Sequence, residues 1–512
     1  MRRLLRVLVA AFLVIAATPP CPAAEPDSTP LADLIDRHID AGLKAKRITP
    51  VEPADDAEFL RRVTLDLHGV IPSAEQARAF LADTRKDRRA RLVDALLADP
   101  RYGEHLADVW QGYLMSPLAD DRTGRGDRLR KWLAEQFNTK PWDRITTDLL
   151  TASGKMEDNP AVVYLIESRL PRTVPDLTDL TTRYFLGVRL SCAQCHDHPF
   201  TDWKQQEFWG MAAFFTQVQT PGRSKQVYQD GIKDNPALTL DTLKATAPDG
   251  FQSRPPTFLG GEQPKAQKGT TNRASLAAWL TSSKNPYFAK AMANRTWWRL
   301  FGRGLVNPVD DMHSANKSSH PELLDLLATR FADSGFDHKF LTRAIVLSRA
   351  YQRTSRPDDA TAEQGELFGR MPVKVLTAGQ LYDSLVAVLG TPPRKSGGAQ
   401  ADPRWEFVQF FADDGDPDLT DYRRGIPHLL RQMNADQFAG RSLAMLAAKL
   451  TKSGRSADDV ATDLFLTVLS RKPTADEVKL FRAHETKAGS LEKAAEELAW
   501  ALLLTSEFTL NH

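Results

Sequence analysis

Beyond the stretch Met1–Ala24 the chain has only two cysteines, Cys192 and Cys195, three positions apart. No disulfide can therefore tie distant segments together. The fold must rest on a large apolar core. With 512 residues, 42% of them hydrophobic and 26% charged, the chain can supply one. The length suggests roughly two or three domains.

Met1–Ala24 has the form of a secretory leader. Arg2, Arg3 and Arg6 make a basic start, and Leu8–Ala17 is apolar but shorter than the roughly 20 residues that span a bilayer. Ala23 and Ala24 suit a cleavage site. Cys21 follows Thr18-Pro19-Pro20, a poor lipid-attachment context. No later stretch reads as a transmembrane segment, so a periplasmic or extracellular chain is expected. The sequence carries 67 Lys+Arg and 65 Asp+Glu. Removing the three leader arginines leaves 64 against 65, which gives no electrostatic case for nucleic acid or an anionic membrane.

Apolar residues recur mostly at helical spacing. Asp55–Leu67 places Phe59, Leu60, Val63 and Leu67 on one stripe. Ser73 and Gln76 form a capping box. Further stripes predict helices over Ala90–Ala98, which Pro100 stops, Arg128–Phe137, Asp176–Leu190 and Gln205–Phe215. Ser319-His320-Pro321-Glu322 opens another with a capping box and an early proline, and Ser456 onward is helical. Pro221–Gly269 is rich in Pro, Gly, Lys and Gln, and Lys225–Tyr228 reads as extended. The expected fold is mainly α: two helical lobes joined by an irregular segment that can hold a small β hairpin. The boundaries are 1–24 leader, 30–217 first helical domain, 218–272 linker or insertion, and 273–508 second helical domain.

Cys192-Ala193-Gln194-Cys195-His196 is the attachment signature of a c-type haem. Each thiol would link one vinyl group, with His196 as the proximal iron ligand. Two other occupants suit the same residues. An oxidising compartment suits a disulfide, and Cys192, Cys195 and His198 suit zinc given a fourth ligand. Met211 is a distal candidate, although Phe208 and Phe215 around it favour a core role. Asp197 could orient an imidazole or stand in solvent. His198-Pro199-Phe200 can simply turn the chain.

The acidic run Asp413, Asp414, Asp416 and Asp418 has calcium-like alternation, but Pro417 breaks the EF-hand order. Asp310-Asp311-Met312-His313 could supply an acid and a base, yet reads better as a surface loop. Trp297, Trp298 and Phe301 read as core. No phosphate-binding glycine loop, GxSxG or HExxH appears, so no reaction class is indicated.

Arg61-Arg62-Val63-Thr64-Leu65-Asp66-Leu67-His68-Gly69 with Ile71-Pro72, and Phe185–Ser191 through Cys192 to Phe200, then Trp203 and Ala212–Phe215, resemble the planctomycete cytochrome-like domain, domain of unknown function 1549. Asn294–Trp297, Leu300–Val306, Ser319–Leu324, Ser348–Ser355, Arg424–Pro427, Met433-Asn434 and Ser506–Phe508 resemble its partner, domain of unknown function 1553. The resemblance covers nearly all of the chain after the leader. It implies a cytochrome connection and no defined reaction. Many members carry a cytochrome c module before the first domain; no second CxxCH stands here, so that module is not expected. Two function classes remain. One is a c-type haem protein in electron transfer or small-ligand sensing, with a redox partner. The other is a non-haem secreted enzyme or assembly module whose cysteine corner is a clasp.

The leader predicts a mature N-terminus near Glu25. Sequencing the N-terminus of protein from the native cell checks this; Met1 retained on the bulk of the protein would contradict it.

Overall fold

The computed structural model describes residues 28–115, 124–167, 170–219, 231–241, 253–265, 269–356, 362–390, 403–410, 420, 440–452 and 454–512. The leader, the extended Lys225–Tyr228 piece and the acidic run at 413–418 lie outside them. The described residues are mainly helical, with three two-stranded antiparallel sheets: Ile166–Glu167 with Leu170–Pro171, Val218–Gln219 with Lys233–Asp234, and Lys374–Val375 with Leu510–Asn511. No helix among the described residues is long and apolar enough to cross a membrane.

Two apolar cores form. The first draws on Leu31 to Met371 together with Leu466, and the second gathers Leu376, Leu385, Phe407, Leu464, Phe481 and Leu503. Most of the second core comes from residues after 372, with Leu65 and Ile71 added from the first half of the chain. Described parts of the 218–272 segment are built into the first core. Ile232, Leu240 and Phe258 are buried, and Phe258 stacks between Phe214 and Trp279. Arg273, fully buried, binds Asp234 at 2.8 and 2.9 Å and donates to the Leu150 and Ala152 carbonyls.

Helix Asp56–His68 joins the cores. Asp55 caps it by accepting from the Glu58 N–H at 2.8 Å, and Gly69 ends it at φ 71°. The Gly69 Cα also meets the His105 ring so closely that a Cβ would stand 2.4 Å from Nδ1. Phe59, Leu60, Val63 and Leu67 form the expected stripe in the first core, while Leu65 enters the second. Every residue from Glu58 to His68 is buried, so the helix has no solvent face.

Its charged groups are consequently paired in the interior. Arg61 donates to the Val468 and Phe508 carbonyls at 3.2 and 2.7 Å. Arg62 donates to the Tyr351 and Arg353 carbonyls at 2.7 and 2.9 Å and to Glu58 at 2.5 Å. Glu58 also accepts from the Ser355 N–H and hydroxyl at 2.7 and 2.9 Å. Asp66 accepts from Tyr351, Lys374 and Asn511 at 2.7, 2.6 and 2.7 Å. Burial lowers the Arg62 and Lys374 pKa values and raises that of Tyr351.

Local signals largely hold. Ser73 and Gln76 form the capping box, and helix Gln205–Ala212 continues as a 3-10 turn to Phe215. Two differ. Helix Val174–Leu186 stops short of residue 190, because Gly187 takes φ 68° and its N–H bonds the Arg183 carbonyl, an αL ending, while the Val188 N–H bonds the Thr182 carbonyl. Helix Pro321–Asp333 starts from His320, which makes no side-chain cap bond; Ser319 instead contacts the His320 ring at 3.1 Å.

Arg62→Met leaves the Glu58 carboxylate buried without its cation, and should cost about 3–5 kcal/mol. Urea denaturation measures it. The double variant Glu58→Leu/Arg62→Met should recover part of the loss; no recovery would contradict the pairing.

Burial depresses His320 and His338 to about 4 and His512 to about 3, from an ordinary 6.5. His68 and His105 move in the same direction for the same reason. The unfolded chain then binds protons that the folded chain refuses. Stability is complete above pH 6.5 and is lost as pH falls from 6.5 toward about 4. The unfolding temperature should follow that course; a flat profile across the interval would contradict it.

Candidate functional site

The site is the corner between helices Val174–Leu186 and Gln205–Ala212. After Gly187, Val188 and Leu190 are fully buried and carry the chain straight to the surface. Ser191–Gln194 makes one 3-10 turn with Ala193 buried beneath it. Cys192 lies on this turn and Cys195 caps its end. Cys192 and Cys195 are both exposed and unjoined.

His196 is exposed, and its Nδ1 lies 2.7 Å from the Asp197 carbonyl oxygen. A carbonyl can only accept, so Nδ1 carries a proton, and in the neutral ring Nε2 is the nitrogen with the lone pair. The carboxylate of Asp197 does something different from orienting the imidazole. It accepts from the Gln205 N–H at 3.0 Å and faces Lys204 at 3.4 Å, and the Gln205 N–H chiefly holds its pKa below the ordinary value.

Helix Gln205–Ala212 also grips the turn. Gln205 Nε2 donates to the Gln194 and Cys195 carbonyls at 3.3 and 2.9 Å, and the Trp209 indole N–H donates to the Gln194 carbonyl at 3.0 Å. On the other side, Ser191 hydrogen-bonds Asp179, whose carboxyl burial pushes up. Sequence reasoning missed Gln205, Trp209 and Asp179. Trp209 follows Phe208 on an apolar helix and is indistinguishable by pattern from a core residue.

His198 turns the chain as anticipated: its N–H bonds the Trp203 carbonyl at 2.8 Å, and its Nδ1 accepts from the Phe200 N–H at 3.2 Å. Phe200 is 84% exposed at the tip, so its ring is open to a partner. Among the described residues no group of three or more His, Cys, Asp or Glu is gathered to hold a metal ion. Cys192, Cys195 and His198 are thus not assembled as a ligand set in this arrangement. Met211 is fully buried in the first core.

The second half of the chain braces the corner. Asn294 templates the loop after its helix, donating to the Val306 and Val309 carbonyls at 2.8 and 3.0 Å and accepting from the Val306 N–H at 2.9 Å. Met312 N–H then bonds the Gly187 carbonyl at 2.9 Å, and Ser314 donates to Asp202 at 2.6 Å. Asp310 is not a surface residue. It is 1% exposed, ion-paired with Arg295, and 3.4 Å from Arg183. Arg295 lies 4.5 Å over the Tyr113 ring and 5.0 Å over Tyr184. Asp310 is therefore structural. Only Asp311 and His313, 3.5 Å apart, remain of the suggested acid–base run. Trp297, Trp298 and Phe301 are core residues, as read from their spacing.

Residues 34–220 match the model of PSCyt2, a protein of unknown function (DUF1549), and residues 272–438 that of PSD1, a protein of unknown function (DUF1553). The order is the one the sequence motifs imply, and the thiol–imidazole corner falls inside the first match. No curated protein and no solved structure matches the chain.

Proposed function

Because the chain belongs to the family in which a PSCyt2 (DUF1549) domain precedes a PSD1 (DUF1553) domain, we propose that it is an exported c-type haem protein. Cys192 and Cys195 would each supply one sulfur for a thioether link, and His196 Nε2 would face the iron. The observation that carries this reading is the His196 ring, whose Nδ1–H is committed to the Asp197 carbonyl at 2.7 Å. That bond fixes the tautomer a proximal ligand needs. Two exposed, unjoined thiols, one on the short turn and one capping it, support it further.

When bound, a haem supplies one-electron exchange or an iron position open to a small ligand. The chain's own contribution is attachment, ring orientation and exposure. Phe200, exposed beside the corner, gives a redox partner an apolar contact. A clasp role is less well supported, because hydrogen bonds from Gln205 and Trp209 already hold the turn without a metal or a disulfide. An acid–base role is less well supported because Asp310 is committed to Arg295. The leader-like start would deliver the chain to the compartment where such a haem is attached.

Protein made with a cytochrome c maturation system should give a positive pyridine haemochrome assay. Cys192→Ser/Cys195→Ser should abolish covalent haem, and His196→Ala should change the iron spectrum while leaving attachment chemically possible. A colourless wild type of unmodified mass ends this reading. One equivalent of zinc, or a mass lower by two protons, would replace it with the metal or disulfide clasp.

A further inference from the structure

We propose that Gln205 and Trp209 are positioning residues for the thiol–imidazole corner, fixing the Gln194 and Cys195 carbonyls so that both thiols and the His196 imidazole keep their outward arrangement. The proposal deepens the haem reading and rests on it. The physical need is plain. A single 3-10 turn has poor hydrogen-bond geometry and leaves its last carbonyls without backbone partners. Here the Gln194 oxygen receives two donors, at 3.3 Å from Gln205 Nε2 and 3.0 Å from the Trp209 indole, and the Cys195 oxygen receives Gln205 Nε2 at 2.9 Å. Both donors sit on one helix, four residues apart and hence on one face. The Asp197 carboxylate accepts from the N–H of Gln205 itself, at 3.0 Å. One residue thus holds the chain on both sides of His196. Trp209 is 4% exposed, so the core fixes its indole, while Gln205 is only half-buried and does not depend on the core in the same way.

A residue that merely stabilises the fold would change the unfolding temperature and nothing else. A positioning residue changes the chemistry of the sulfurs. Two measurements on the full chain separate these. The first is haem attached per protein after expression with a cytochrome c maturation system. The second is the rate at which N-ethylmaleimide labels Cys192 and Cys195 in chain made without that system, read by peptide mass. The variants are Gln205→Leu, Trp209→Phe, and the exposed neighbour Gln206→Leu as control.

Losing these hydrogen bonds should change the labelling rate by about fivefold, with a parallel change in haem attachment. Gln205→Leu should show this with its unfolding temperature unchanged, Trp209→Phe should show it in the same direction, and Gln206→Leu should match wild type. Equal labelling in Gln205→Leu and wild type overturns the proposal, whether or not the unfolding temperature falls. If the wild type takes up no haem, the haem reading fails by itself. Labelling still decides the rest: altered rates keep Gln205 and Trp209 as positioning residues of a dithiol corner, and unaltered rates remove them.

Discussion

The interior charges of helix Asp56–His68 hold this molecule together. A helix buried on every side cannot leave a guanidinium or carboxylate unpaired, because the desolvation penalty exceeds what packing returns. Arg61, Arg62, Glu58 and Asp66 are therefore bound to groups from far along the chain: Tyr351 to Ser355, Lys374, Val468, Phe508 and Asn511. Each bond draws another segment against the helix. The two apolar cores meet there, with Leu65 on one side and Phe59, Leu60, Val63 and Leu67 on the other. Arg-Arg followed by Asp in the family's opening segment is in this light a structural strut, not a binding motif.

The corner depends on the same frame by a shorter route. Helix Phe288–Phe301 is buried almost throughout, and its Asn294 and Arg295 shape the loop that reaches Gly187 and Asp202. The corner thus belongs to the first family domain in sequence and to both in packing. Its carbonyls are tied from the next helix and its flanking loop from the second domain. The thiols and the imidazole are left exposed.

Much of this was legible in the sequence. Periodicity found the helices because apolar residues must share a face, and caps marked Ser73 because local hydrogen bonds need only local residues. What failed to show was long-range. The stripe on helix Asp56–His68 gave no sign that its polar face was buried too, since only the partners at 351–355, 374 and 511 make that possible. Asp310 looked like a loop acid because its cation, Arg295, stands on another turn of the chain. Pro221–Gly269 looked solvated because it has few apolar residues, yet Phe258 alone anchors part of it between two aromatic rings. The cysteine corner was visible as chemistry, while the donors that hold it were hidden by a helix that reads as ordinary core.

The bond between Asn511 and Asp66 spans 445 positions, and the Leu510–Asn511 strand pairs beside it with Lys374–Val375. Ribosomal synthesis separates the two residues by on the order of tens of seconds. Throughout that time Asp66 exists without its last donor, and Arg61 without the Phe508 carbonyl. The central helix cannot reach its final environment while the chain is incomplete. A nascent chain of this kind lacks these interior partners until residues 508 and 511 have been made, so the burial of its central helix is tied to the end of synthesis.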